Sequence, residues 1–129
     1  MQNLVVTLDA KNFPAALKQE VLMVDFWEPW CGPCQIQLPV LEEVACRVAG
    51  KATVAKVNVD EAQKLALRFG IQSIPTLVLF KHGKIVRYFV GGYSAAALTK
   101  TIEAVAKRRT SGNGANGRKP GRMTLSKTS

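Results

Sequence analysis

The 129-residue sequence predicts an α/β protein with a mixed central β-sheet flanked by helices on both faces, in the order βαβαβαββα. Three observations carry that expectation. Short β-type runs alternate with helical patterns as far as Gly70, which implies parallel strands joined by crossovers. The pattern then changes to two β-rich runs, Thr76 to Lys81 and Lys84 to Val90, separated only by His82-Gly83, which reads as a tight antiparallel hairpin. Between the most apolar run and the helical pattern that follows it stand Cys31 and Cys34, so the chemistry sits at a strand-to-helix turn.

Taken in order, Val5 to Leu8 is a short β-type run. Asn12-Phe13-Pro14 opens a short helix, with Asn12 as cap and the proline in the first turn, where its missing N–H costs little. Val21 to Trp27 is apolar on both alternations, as in a central strand covered on both faces, with Asp25 as the exception. A carboxylate there is either an exposed edge residue or a group buried for its chemistry. From Cys34 to Val48 the residues Leu38, Leu41, Val44, Ala45 and Val48 recur at helical spacing, so an amphipathic helix packs on the sheet. Pro39 removes one of its hydrogen bonds and is expected to kink it. Gly50 and Lys51 end that unit, Thr53 to Asn58 alternates as a strand, and Ala62, Leu65, Ala66 and Phe69 form a further helical stripe stopped at Gly70. After the hairpin, Ser94 caps a last helix whose Leu98, Ile102 and Val105 face inward.

A hydrophobic content of 47% over this length suits one core and one domain. The net charge of +9 is unevenly spread: Lys107, Arg108, Arg109, Arg118, Lys119, Arg122 and Lys127 supply seven cations with no acid among them, leaving the preceding residues at +2. We therefore expect a folded domain over 1–106 and a basic tail over 107–129, whose Thr110 to Gly117 stretch is rich in Gly and Asn and reads as a flexible linker into a disordered end. Such a tail is either a solvated extension or a weak, salt-sensitive contact for nucleic acid or an anionic membrane surface; it has no aromatics to stack on bases. No basic stretch followed by an apolar segment and a cleavage site opens the sequence, and no apolar run approaches a membrane span. A cytoplasmic monomer without a transmembrane segment is expected, and three cysteines in that compartment suit a cycling dithiol better than a structural framework.

A strand ending in Pro29-Trp30 and handing over to a helix leaves Cys31 at the helix N-terminus, where unpaired N–H groups and the positive end of the macrodipole favour a thiolate. Cys31 is then the nucleophile. Cys34, one turn on, reaches the same sulfur and resolves a mixed disulfide from within the molecule, a reaction needing no cofactor. A zinc site needs two further ligands in a matching pattern, and Cys46 and His82 do not provide them, so no metal is expected. Cys46 shares the helix face of Glu42 and Glu43, about 18 Å along the helix from Cys34, and reads as an exposed thiol. His82 reads as a turn residue.

Val24-Asp25-Phe26-Trp27, Trp30-Cys31-Gly32-Pro33-Cys34, Pro39, Lys56-Val57-Asn58-Val59-Asp60, Ile74-Pro75-Thr76, Lys81-His82-Gly83 and Val90-Gly91 together resemble the thioredoxin family in order and spacing, from about Met1 to Ala106. The resemblance implies the thioredoxin fold and protein-disulfide reduction. It also implies that Asp25 is buried and handles the proton of the resolving cysteine. Desolvation raises its pKa towards that of a thiol, and Lys56 on the adjacent strand tempers the rise; the alternative is a buried Asp–Lys pair without a catalytic part. It further implies a cis Ile74-Pro75 bond facing the dithiol, with the Ile74 backbone free to pair with a substrate strand. Trp30, Gly32, Pro33, Ile74, Pro75, Val90, Gly91 and Gly92 would then form the rim that receives protein disulfides; read without the resemblance, Pro75 and the glycines shape turns equally well.

The partners so implied are proteins with accessible disulfides and an NADPH-dependent flavoenzyme, thioredoxin reductase, as electron donor. Glu28 stands where the family commonly has a small residue and Gln35 where it has Lys or Arg, so the Cys31 thiolate is expected to be less favoured than in a typical member. Two other functions compete: a disulfide oxidant or isomerase, against which Gly32-Pro33 argues, and a non-catalytic binding or chaperone-like module, against which the intact dithiol with Asp25 and Pro75 argues.

Overall fold

The computed structural model describes residues 4–108. The elements run β1 (Val6–Leu8), α1 (Phe13–Ala16), β2 (Val21–Trp27), α2 (Gly32–Arg47), β3 (Thr53–Asn58), α3 (Gln63–Arg68), β4 (Thr76–Lys81), β5 (Lys84–Val90) and α4 (Ala95–Lys107). One five-stranded sheet has the spatial order β1-β3-β2-β4-β5. Strands β1, β3 and β2 are mutually parallel, while β4 runs antiparallel to β2 and β5 antiparallel to β4. The parallel part needs crossover helices and the antiparallel part a hairpin, as the change of pattern at Thr76 predicts. His82 at φ 51° and Gly83 at φ 78° make that turn, whose backbone twist matches the flanking strands.

Alternation along the strands divides the core. Val21, Met23, Val54, Leu77 and Leu79 face Leu41, Val44 and Val48 of the α2 segment and Leu98 and Ile102 of α4. Leu22, Val24, Phe26, Ala55, Val57, Val78 and Phe80 face Phe13 of α1 and Leu65 of α3. On that second face Phe13, Phe26, Phe69 and Phe80 contact one another at centroid separations from 5.3 to 6.3 Å, the offset and edge geometries that aromatic rings prefer. Both faces of β2 are thereby covered, which is why it reads as a continuous apolar run.

Two local expectations are corrected. Asn12 stands at the start of α1 but gives it no side-chain cap: its Oδ1 accepts from Asp9 N–H at 2.7 Å, and its Nδ2 donates to the Thr7 carbonyl at 3.2 Å. Asp9 competes for the same turn, accepting the N–H groups of Lys11 and Asn12 at 2.9 and 3.0 Å, so the side chains tie the turn backwards. Leu38 is only half-buried, and Gln37, 2% exposed, takes the inward position beside it. Helix α2 continues through Pro39 to Arg47, and Ser94 caps α4 as expected, its Oγ accepting Ala97 N–H at 3.1 Å. Helix α4 includes Lys107; the Gly/Asn-rich stretch and the cations from Arg109 onward lie outside the described residues.

Candidate active site

The dithiol lies at the carboxyl end of β2, an interior strand of the sheet, where the chain turns into α2. Cys31 is the N-cap of that helix, with extended backbone, and Pro33 occupies its first turn. Cys31 and Cys34 form a disulfide with their Cα atoms 5.2 Å apart. The Cys34 N–H donates to Cys31 Sγ at 3.1 Å, so one of the orphan donors of the helix start is already aimed at this sulfur. After reduction the same donor and the helix macrodipole stabilise a thiolate on Cys31. Cys31 is partly exposed and Cys34 fully buried, so an incoming disulfide meets Cys31 first.

Asp25 shares the α2/α4 face with Val21 and Met23 by strand alternation, two residues before the end of β2. It is fully buried, and neither of its carboxylate oxygens has a hydrogen-bond partner. Desolvation pushes its pKa from the ordinary 3.8 up to about 7, and the charge of Lys56 opposes that rise. The reading of Asp25 as an exposed edge residue is therefore excluded. Lys56 is its partner in register on β3, and Lys56 Nζ also stands 5.5 Å from the centroid of the Trp27 ring. The Trp27 Nε1–H is buried without an acceptor, so three unpartnered polar atoms cluster at this end of the sheet.

The Ile74-Pro75 peptide is cis, and the Ile74 carbonyl oxygen lies 3.9 Å from Cys31 Sγ, which brings this loop to the dithiol. Pro75 is buried, with its carbonyl accepting Gly91 N–H at 2.9 Å. Val90, paired in register with Thr76, is 50% exposed and Trp30 84% exposed. Gly91 has φ +92°, a conformation that excludes other side chains in practice, and Gly32 has open space where a Cβ would stand. The structure thus sets Ile74, Pro75, Val90, Gly91 and Gly92 in one run of loop and strand end linked to Cys31, with Trp30, Gly32 and Pro33 in the turn itself.

Sequence reasoning missed two residues of α2. Ile36 is an apolar side chain left 74% exposed, and buried Gln37 bonds Tyr93 through both ends of its amide. Helical spacing was the available signal: Gln37 falls on the stripe of Cys34, Leu41 and Val44, whereas Ile36 falls opposite. Gln35 donates through Nε2 to the Pro29 carbonyl at 3.1 Å, and the carbonyl of half-buried Glu28 accepts Cys31 N–H at 3.3 Å. Cys46 is exposed and outside any disulfide. Among the described residues no three His, Cys, Asp or Glu side chains are grouped to hold a metal ion, and no helix is long and apolar enough to cross a membrane.

Comparison with known proteins matches this arrangement. The family model described as Thioredoxin matches residues 4–104. Thioredoxin from Alicyclobacillus acidocaldarius is 51% identical over 87 residues, covering 67% of this chain and 83% of its own. Thioredoxin 1 from Nostoc is 46% identical over 95 residues, covering 69% of this chain and 89% of its own. Among solved structures, a mutant thioredoxin from Halobacterium salinarum superposes with a TM-score of 0.71 at 38% identity, covering 82% of this chain and 92% of that one.

Proposed function

The chain belongs to the thioredoxin family, and from that premise we propose how its residues carry out the reduction of protein disulfides. It is a thiol-disulfide oxidoreductase. In the reduced protein the Cys31 thiolate attacks one sulfur of a substrate disulfide, the substrate S–S bond breaks, and the first substrate sulfur leaves as a thiolate that takes up a proton. Asp25, ionised, accepts the Cys34 proton; the Cys34 sulfur then attacks Cys31 Sγ, forming the Cys31–Cys34 disulfide and releasing the second substrate thiolate. Two electrons pass from the dithiol to the substrate. Lys56 keeps the Asp25 pKa from rising further, so the carboxylate is available near neutral pH. Ile74 and Pro75, with Trp30, Gly32, Pro33, Val90, Gly91 and Gly92, receive the substrate backbone beside Cys31.

The observation that carries the assignment of roles is the 3.1 Å hydrogen bond from Cys34 N–H to a partly exposed Cys31 Sγ, with Cys34 fully buried behind it. An NADPH-dependent flavoenzyme, thioredoxin reductase, restores the dithiol in the cytoplasm, where the domain over 1–106 acts as a monomer. Insulin reduction tests the roles: Cys31→Ser abolishes it, whereas Cys34→Ser attacks once and accumulates mixed disulfides with the substrate. Equal trapping by both variants would remove the distinction between nucleophile and resolving residue.

A further inference from the structure

Gln37 is a polar side chain on the buried face of α2, one turn after Cys34, between a cysteine and the apolar residues Leu41 and Val44. Both ends of its amide bond a single residue's backbone: Nε2 donates to the Tyr93 carbonyl at 3.0 Å, and Oε1 accepts Tyr93 N–H at 3.0 Å. Only a carboxamide of this length meets both groups in that way, because the two bonds require a donor and an acceptor on one planar end. In the segment Gly91 to Tyr93, Gly91 N–H also donates to the Pro75 carbonyl at 2.9 Å and the Tyr93 ring stands against Phe89 at 5.0 Å. Both of those lead to the sheet. Among the described residues, Gln37 supplies the hydrogen bonds that join this segment to the helix carrying the dithiol. Gly92 packs closely on the same amide, since a Cβ there would stand 3.4 Å from Oε1.

We propose that Gln37 is a positioning residue for disulfide exchange, whose buried amide clamps the Gly91–Tyr93 segment to α2 and thereby fixes the rim that receives an extended protein substrate beside Cys31. The proposal rests on the reductase reading above and narrows it: Gln37 acts on recognition of a polypeptide backbone and leaves the sulfur chemistry alone. A small aromatic disulfide needs only the Cys31–Cys34 dithiol and its proton acceptor, whereas a protein disulfide also needs the rim in register with Cys31. Freed from α2, the glycine-containing segment must be ordered when the substrate binds, and that ordering weakens binding.

Single-turnover reduction of insulin and of 5,5′-dithiobis(2-nitrobenzoate) by the pre-reduced full chain tests this, with amide exchange at Tyr93 as the structural readout. Gln37→Met keeps the volume and removes both hydrogen bonds; Gln37→Glu keeps the acceptor and sets a second oxygen against the Tyr93 carbonyl. Gln37→Met is expected to speed Tyr93 exchange about tenfold or more, and both variants to raise the half-saturating insulin concentration about five- to tenfold, as loss of one or two hydrogen bonds suggests. Limiting rates and reduction of the small disulfide stay within about twofold. Faster Tyr93 exchange with an unchanged insulin half-saturation overturns the proposal and leaves Gln37 a structural residue, as does equal slowing on both substrates. If Gln37→Met is too unstable to assay, an unchanged half-saturation in Gln37→Glu is decisive against it. A wild-type chain that reduces neither disulfide overturns the reductase reading itself, a result distinct from either of these.

Discussion

The two ends of the sheet handle a buried charge in opposite ways. At the end away from the dithiol, the ammonium of Lys81, its side chain 10% exposed, meets Glu20 Oε2 at 3.1 Å, the Val105 carbonyl at 2.9 Å and the Arg108 carbonyl at 3.2 Å. It closes the last turn of α4 and ties it to Glu20, directly before β2, whose carbonyl also accepts His82 N–H at 2.8 Å. At the dithiol end, Asp25 is fully buried with both oxygens unpartnered, beside a Trp27 N–H that also lacks an acceptor. A satisfied charge lends stability; an unsatisfied, desolvated carboxylate is poised to change its protonation state. The difference separates the end that holds the fold from the end that works.

Making the dithiol end resemble the other is the largest perturbation available short of removing a cysteine. Asp25→Asn removes the ionisable group, and turnover near pH 7 is expected to fall about ten- to a hundredfold, because proton transfer from Cys34 loses its base. In the wild-type chain the resolving step rises with pH through about 7 as Asp25 ionises, and the variant lacks that rise. Stability moves the other way. The folded pKa of about 7 lies above the ordinary 3.8, so the folded state holds a proton that the unfolded chain has released, and stability falls as pH increases between those values. The gap corresponds to on the order of 4 kcal/mol, present below about pH 4 and lost above about pH 7. Denaturant unfolding of oxidised wild type and Asp25→Asn at pH 5 and pH 8 checks the sign: the variant gains relative stability at the higher pH. A constant difference across that range would mean that Asp25 does not titrate there.

The converse substitution acts on the other end. Lys81→Met keeps the aliphatic stem and withdraws the ammonium from three acceptors, two of them helix-terminal carbonyls. We expect a loss of about 2 kcal/mol and a fall in Tm on the order of 10 °C. Insulin reduction by the folded variant stays unchanged. If activity falls in step with stability, the two ends are coupled and the division of labour between them is wrong.

This asymmetry was only partly legible in the sequence. The strands were, because β2 and β4 are covered on both faces and their apolar runs are unambiguous. So was the dithiol turn, since the strand ending at Trp27, the Cys31–Cys34 spacing and the helical stripe after it agree with one another. The burial of Asp25 was not settled by pattern, because a lone carboxylate in an apolar run suits either reading until its neighbours on both faces are known. Lys56 and the cis Ile74-Pro75 bond entered through family resemblance alone, as X–Pro bonds carry no local sign of their isomer. Gln37 does not stand out in the sequence because a pattern of apolar residues passes over a polar side chain, although its helical phase points inward. Lys81 was invisible as a clamp, since its carbonyl partners lie 24 and 27 residues away and become neighbours only once α4 packs against β4.

The smallest expected effect concerns the charges around Cys31. Glu28 is half-buried in the turn before it, and Gln35 is tied to the Pro29 carbonyl in the turn after it, so an anion and a neutral amide stand where positive charge would favour a thiolate. Glu28→Ala together with Gln35→Lys removes the anion and adds a cation, which lowers the Cys31 pKa of the reduced protein. Both side chains reach solvent, so screening limits the change to less than about one pKa unit. Thiolate absorbance against pH reads it directly in the reduced double variant, with Cys46→Ser in the background to remove the exposed third thiol. A fall in pKa that disappears at high salt identifies long-range charge as the cause. A fall that persists in salt points instead to the lost Gln35–Pro29 hydrogen bond reshaping the turn, and a rise contradicts the electrostatic account.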